Sequence, residues 1–234
     1  MRFDDPLREG RLIRRYQRFL ADVDTGDGVV TAHCPNTGSM LGCAEPGMRV
    51  WLSAARNPAR KLAWTWELAE VATGRLVGVH TGRANRLVRE AVETGLIAAL
   101  SGYPEIRGEV RYGANSRIDL LLEGDERPPC YVEVKNVTAA VDGDIGYFPD
   151  AVSERGQRHL QALSAEVAAG HRAVMVFCVQ RADVREVRPA DHIDPVYGRR
   201  LRAAIADGVE LMAFGADVSP DEIVLRRRLS VRLP

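Results

Sequence analysis

SRIDLLL (Ser116–Leu122) and YVEVKNV (Tyr131–Val137) are two strand-like runs joined by the polar loop Glu123–Pro129. Alternating apolar residues on both sides of a short loop predict an antiparallel hairpin. A register symmetric about Glu126 sets Asp119 opposite Glu133 and Arg117 opposite Lys135, with all four on one face. Ile118, Leu120, Leu122, Val132 and Val134 then take the other face. Opposed α-carbons lie only ~4.5–5.5 Å apart, so two carboxylates so placed repel each other unless a positive charge sits between them. A divalent cation suits that position. The oxygens of Asp119 and Glu133, the Val134 carbonyl and water make a hard donor set for Mg²⁺ or Mn²⁺. Lys135 could orient a water or neutralise a phosphate. A cross-strand salt-bridge network would use the same four residues. A helix follows the hairpin, however, and charges clustered on a covered sheet need a reason.

Working outward, Arg11 to Gly82 reads as short alternating segments broken by turn clusters at Asp24–Gly28, Pro35–Gly38 and Glu45–Gly47. That rhythm predicts a small all-β barrel. Leu87, Val88, Ala91, Val92, Leu96, Ile97 and Leu100 then recur at helical spacing, predicting a helix over Ala84–Leu100. Strands are expected at Glu109–Tyr112 and in the hairpin. A second helix should start at Pro149–Asp150, carry an apolar stripe of Val152, Leu160, Leu163 and Val167, and end at Gly170. Arg172–Val179 is nearly all apolar, as in a strand buried on both faces. A helix near Pro195–Asp207 and strands near Val209–Phe214 and Ile223–Val231 complete the chain. The expected organisation is an all-β, OB-like barrel at 1–82 and a mixed α/β domain at 83–234.

Of the 234 residues, 32 are basic and 32 acidic, so no global positive field points to a nucleic-acid partner. Only Lys61 and Lys135 are lysines; the other 30 basic residues are arginine. A lysine kept in that background suggests a position where a compact ammonium serves and a planar guanidinium does not. Cys34, Cys43, Cys130 and Cys178 are too scattered for a disulfide framework. His33, Cys34 and Cys43 lack the paired spacing of a zinc site. No run is long and apolar enough for a membrane span and no signal-peptide core is visible, so a cytoplasmic protein without a membrane partner is expected. No Gly-rich phosphate loop is present. A homo-oligomer is open.

Several residues are further candidates. Gln157 lies on a polar stripe of the second helix with Glu154, Arg158 and Gln161, and is the expected helical contribution to the site. Glu109 could be another acid, or an exposed loop residue. In the barrel, Arg11, Arg14, Arg15 and Arg18 interleave with Tyr16 and Phe19, a composition suited to tracking phosphates and stacking bases. A solvated strand would look similar. Asn36, Thr37 and Ser39 in PNTGSM could donate to phosphate. Trp64 and Trp66 share a strand face, as core or as a stacking platform.

The spacing of Asp119, Glu133 and Lys135 matches the PD-(D/E)xK nuclease signature, with Ile118 where the proline would stand. The segments RYQRFLADV, HCPNTGSM, ANRL, SRIDLLL, YVEVKNVT and GYFPDAVSERGQRHL, from near Arg14 to His159, resemble the sugar fermentation stimulation protein family. The resemblance implies an OB-like barrel, a restriction-endonuclease-like domain and DNA binding. It places Asp119, Glu133 and Lys135 on the nuclease-like motif; Arg117, on the same hairpin face, is a candidate nucleic-acid contact. The leading expectation is a DNA-acting (or RNA-acting) protein with a Mg²⁺-dependent phosphodiesterase site. The alternative is a non-catalytic DNA-binding regulator linked to sugar metabolism.

Overall fold

The computed structural model describes residues 1–72, 74–113, 116–140 and 143–234. Strands β1 (Arg8–Tyr16), β2 (Leu20–Asp24), β3 (Val29–His33), β4 (Arg49–Ala54) and β5 (Trp64–Glu70) form a closed antiparallel unit, sealed by a parallel contact of β3 with β5. Alternation points Leu12, Ala21, Val23, Leu52 and Trp66 inward. Trp66 is fully buried and donates its indole N–H to the Leu68 carbonyl at 2.8 Å. Trp64 is half-buried under the Arg8 guanidinium. The barrel is therefore OB-like, and the two tryptophans of β5 are a core residue and its flank.

Strand β6 (Leu76–Gly78) carries the chain out of the barrel, where the Gly78 N–H donates to the Gln180 carbonyl at 2.8 Å. A β-carbon at Gly78 would lie 2.5 Å from the Gln180 Oε1, so this backbone approach requires glycine. Helix α1 (Arg83–Glu93) follows and is shorter than its apolar periodicity predicts. Gly95, at φ +76°, terminates it, and Ala98–Leu100 form a separate 3₁₀ turn.

The remaining elements are β7 (Glu105–Tyr112), β8 (Ser116–Glu123), β9 (Cys130–Val137), β10 (Ile145–Phe148), α2 (Glu154–Ala168), β11 (Arg172–Val179), β12 (Glu186–Pro189), α3 (Pro195–Ala206), β13 (Glu210–Val218) and β14 (Ile223–Val231). The eight strands make one mixed sheet in the order β10-β12-β14-β13-β11-β9-β8-β7. Helix α2 begins at Ser153, whose Oγ accepts the Gly156 N–H at 3.0 Å, rather than at Pro149–Asp150.

Two apolar cores cover the sheet. On one face Leu87, Val88 and Ala91 of α1 pack on Val132, Val174 and Val176, and the same core takes in Trp51 and Leu68 of the barrel. On the other, Leu160, Leu163 and Leu201 of α2 and α3 pack on Phe177 and Val179. Each such side chain contributes about 1.5–3 kcal/mol by burial. Strand β11, in the middle, is buried on both sides, as its unbroken apolar run predicts. All four cysteines are buried and unpaired, Cys34 beside the Met40 sulfur and Cys43 against the Thr138 carbonyl. Among the described residues, no helix is long and apolar enough to cross a membrane.

Candidate metal centre and nucleic-acid cleft

The β8–β9 ladder pairs Leu122 with Cys130, Leu121 with Tyr131 and Leu120 with Val132, the register centred on Glu126. Pairing stops one step before Asp119. Its carboxylate occupies the gap instead, accepting the Val134 N–H at 2.7 Å and the Asn85 side-chain amide of α1 at 2.8 Å. Glu133 sits beside Met175 of β11, almost wholly buried. Its Oε1 receives the Lys135 ammonium at 2.6 Å and the Nδ1 of His159 from α2. Arg155 donates to His159 Nε2 at 3.3 Å, so the network assigns the His159 proton to Nδ1. The other carboxylate oxygen of Glu133, Oε2, is buried and has no hydrogen-bond partner among the described residues.

These surroundings separate the two acids. Burial, together with the negative charge of Glu133, pushes Asp119 up to about 6, against the opposing hydrogen bonds from Val134 and Asn85. Burial also pushes Glu133 upward, but the His159 hydrogen bond and the Lys135 charge outweigh it and hold this carboxyl below the ordinary value. An ionised glutamate with one orphaned oxygen, next to an aspartate whose ionisation it opposes, fits a hard divalent cation. Among the described residues no group of three or more His, Cys, Asp or Glu is disposed to hold a metal ion by itself, so these two acids would need backbone and water oxygens beside them.

Two expectations about neighbouring residues need correction. Arg117 does not sit opposite Lys135. Leu120 and Leu122 pack in the α1-side core, whereas Ile118 packs in the α2-side core, so β8 turns over at Asp119. Glu109, at the matching level of β7, adopts a left-handed backbone at φ +55°. Beyond that point Arg117 is exposed and paired with Arg111 of β7. Glu109 is exposed on a strand, not on a loop, and accepts from the same Asn85 amide at 3.2 Å.

Gln157 likewise does not face the acids. It donates to both oxygens of Asp194, each at 3.2 Å, where Asp194 caps α3 through the Tyr197 N–H. The residue α2 delivers to the acids is His159, which sequence reasoning missed. Its signal was a histidine set within the apolar stripe, four residues before Leu163, where a helix faces the sheet. Asn85 was also missed, although it lies in the first turn of α1.

The barrel candidates divide into two groups. Arg11 donates to the Gly47 carbonyl at 3.1 Å; Arg14 pairs with Asp22 at 2.8 Å and lies over the Tyr16 ring, whose hydroxyl donates to the same Asp22. Arg15 spreads one Nη2 over the carbonyls of Arg18, Asn36 and Gly38, each at 2.8 Å. The buried Asn36 turns its own carbonyl oxygen to the Gly38 N–H, and Ser39 donates to Asp150 at 3.4 Å. These side chains build the barrel and its loops. Arg18 and Thr37 are exposed, and neither side chain has a partner among the described residues. Both line a cleft of about 340 Å³ whose other wall carries Asn85, Val134, Lys135 and Asn136. The cleft thus joins the barrel loops to Lys135 and to Asn85 and Val134, the two residues that hold Asp119.

Comparison with known proteins agrees with this architecture. Residues 13–79 match the "SfsA N-terminal OB domain" and residues 82–222 the "Sugar fermentation stimulation protein RE domain". A sugar fermentation stimulation protein homolog of Thioalkalivibrio sulfidiphilus is 61% identical over 235 residues, covering 100% of this chain and 98% of the relative. One from Alkalilimnicola ehrlichii is 59% identical over 238 residues, covering 100% of both. The solved structure of Pyrococcus furiosus SfsA in complex with Ca²⁺ superposes with a TM-score of 0.90 at 28% identity, covering 99% of this chain and 98% of that one. With two domain matches spanning most of its length and full-length relatives at this identity, the chain belongs to the sugar fermentation stimulation protein family.

Proposed function

We propose that the protein is a divalent-cation-dependent phosphodiesterase acting on DNA, with Asp119 and Glu133 holding the cation and Lys135 completing the site. The observation that carries this reading is the buried, partnerless Glu133 Oε2 beside an aspartate pushed up to about 6. The Ca²⁺ bound by the Pyrococcus protein supports it. With Asp119 and Glu133 as ligands, the Val134 carbonyl and water would fill the remaining positions, a shell typical of Mg²⁺ or Mn²⁺.

When bound, such a cation supplies a Lewis acid for the phosphate and lowers the pKa of water. The chain's own groups do the rest. Val134 and Asn85 fix the Asp119 carboxylate from two directions, so it needs no reorganisation when the cation arrives. His159 and Lys135 bind one oxygen of Glu133 and leave the other free to coordinate. The Lys135 ammonium, about a tenth exposed and lining the cleft, is placed to donate to a non-bridging phosphate oxygen as charge builds there.

The test is incubation of the purified protein with Mg²⁺ or Mn²⁺ and plasmid, single-stranded DNA or RNA, beside Asp119→Ala. Cleavage by the wild type and none by the variant is the expected result. DNA binding without cleavage by either protein would replace this reading with a non-catalytic regulator.

A further inference from the structure

The cleft beside the acids has a feature that the metal chemistry does not use. The Asn136 side chain follows Lys135 on β9. Its Oδ1 accepts the Gln180 amide at 2.6 Å, and that amide also donates to the His80 carbonyl at 3.2 Å. The His80 carbonyl can face only a donor, so it fixes the Gln180 orientation and, through it, that of Asn136. The Asn136 Nδ2 is left buried, without an acceptor among the described residues, on a residue that lines the cleft. An unmet buried donor is costly unless something accepts from it.

Arg18 stands on the opposite wall. Gln17 and Arg18 both have left-handed backbones, at φ 50° and 67°. Two consecutive non-glycine residues in that region are held there by their surroundings. Here the holder is Arg15, whose Nη2 ties the Arg18 carbonyl to those of Asn36 and Gly38 on the neighbouring loop. The guanidinium of Arg18 is thereby presented to the cleft with no anion of its own.

The walls are also tied together. Asp150 accepts the Met40 N–H at 3.2 Å, and Thr81 donates to the Pro35 carbonyl at 2.6 Å. A β-carbon on Gly38 would fall 2.7 Å from the Asp150 carboxyl carbon, so the Asp150 side chain packs directly on the Gly38 backbone. A cleft of about 340 Å³, near the lower end for ligand sites, has room for about one nucleotide within its walls.

We propose that this cleft receives a single unpaired nucleotide of the substrate strand. Arg18 binds its backbone phosphate, and the Asn136 amide binds an acceptor on its sugar or base. The inference rests on the phosphodiesterase reading for the identity of the polymer, and it makes the substrate a single strand or a duplex with a separated end. Grooves that take single strands combine positive charge with aromatic side chains for stacking, and Arg18, Lys135 and Phe148 line this cleft.

The experiment measures binding of a fluorescent single-stranded oligonucleotide, its blunt duplex, and the duplex with a single-stranded tail. It uses the full chain in Ca²⁺ across a salt series. The single strand and the tailed duplex should bind at least about tenfold more tightly than the blunt duplex. Arg18→Ala should weaken the single strand roughly tenfold and lower the salt slope by about one, and Arg18→Lys should restore the slope. Asn136→Leu should weaken binding with the slope unchanged, because no charge is lost. Equal affinity for blunt duplex and single strand, or an Arg18→Ala variant with wild-type affinity and slope, overturns the proposal. If blunt duplex is bound and cut equally well, the phosphodiesterase reading stands and the cleft assignment falls. Arg18-dependent single-strand binding with no cleavage in Mg²⁺ would do the reverse.

Discussion

Replacing Asp119 by asparagine should change how stability depends on pH, because this carboxyl is displaced from its ordinary value of 3.8 to about 6. For a raised acid the folded state holds the proton more tightly than the unfolded chain. Its stabilising contribution is complete below the unfolded value and is lost as pH climbs through the folded one. At about 1.4 kcal/mol per pH unit, ionising Asp119 in the folded protein costs about 3 kcal/mol. The substituted amide cannot ionise and escapes that cost. It keeps one acceptor where aspartate offers two, so either the Val134 N–H or the Asn85 amide loses its partner, a loss of about 1–3 kcal/mol that does not vary with pH. A double difference removes this constant. Urea unfolding of both proteins in EDTA, near pH 4 and near pH 8, should show the variant gaining up to about 3 kcal/mol on the wild type between the two conditions. Parallel pH profiles would refute the assignment of a raised pKa to Asp119.

The same displacement predicts that Ca²⁺ affinity, measured by calorimetry, is flat above about pH 6 and falls roughly tenfold per pH unit below it, as the proton competes for Asp119. A pair of α2 variants separates site from scaffold. His159→Phe should weaken Ca²⁺ binding about 10–100-fold, as loss of a residue orienting a ligand does. Gln157→Ala should leave that affinity alone while lowering stability by about 1.5–3 kcal/mol, since it loses hydrogen bonds to the Asp194 carboxylate. Gly38→Ala should cost about 1–3 kcal/mol in urea unfolding, because the methyl group displaces the Asp150 carboxyl from the Met40 N–H.

How much of this could be read from the chain depended on how local the cause was. The hairpin register was legible because apolar alternation and a short polar loop fix it without reference to anything else. The turnover of β8 at Asp119 was not, since it depends on the left-handed Glu109 of a neighbouring strand. Helix α2 was legible as an amphipathic segment, but choosing between Gln157 and His159 needed its rotation about its own axis, which α3 and Asp194 set. The short strands β10 and β12 at one end of the sheet carry four residues each, too few for a period to show. In β1, arginines alternating with apolar residues looked like a phosphate track. Most turned out to be hydrogen-bonded within the barrel, and only the turn residue Arg18 was left to face a partner.

Trp51 and Leu68 belong to the barrel by their strands, yet they are buried in the core beneath α1. Two folds that share one core melt together, so amide exchange should find a single slowest-exchanging unit running through β4, β5, β9 and β11. A shared core resists bending between the two halves. On the proposed nucleic-acid reading, a ligand would meet a fixed aperture that it must already fit, in contrast to proteins that close around what they bind.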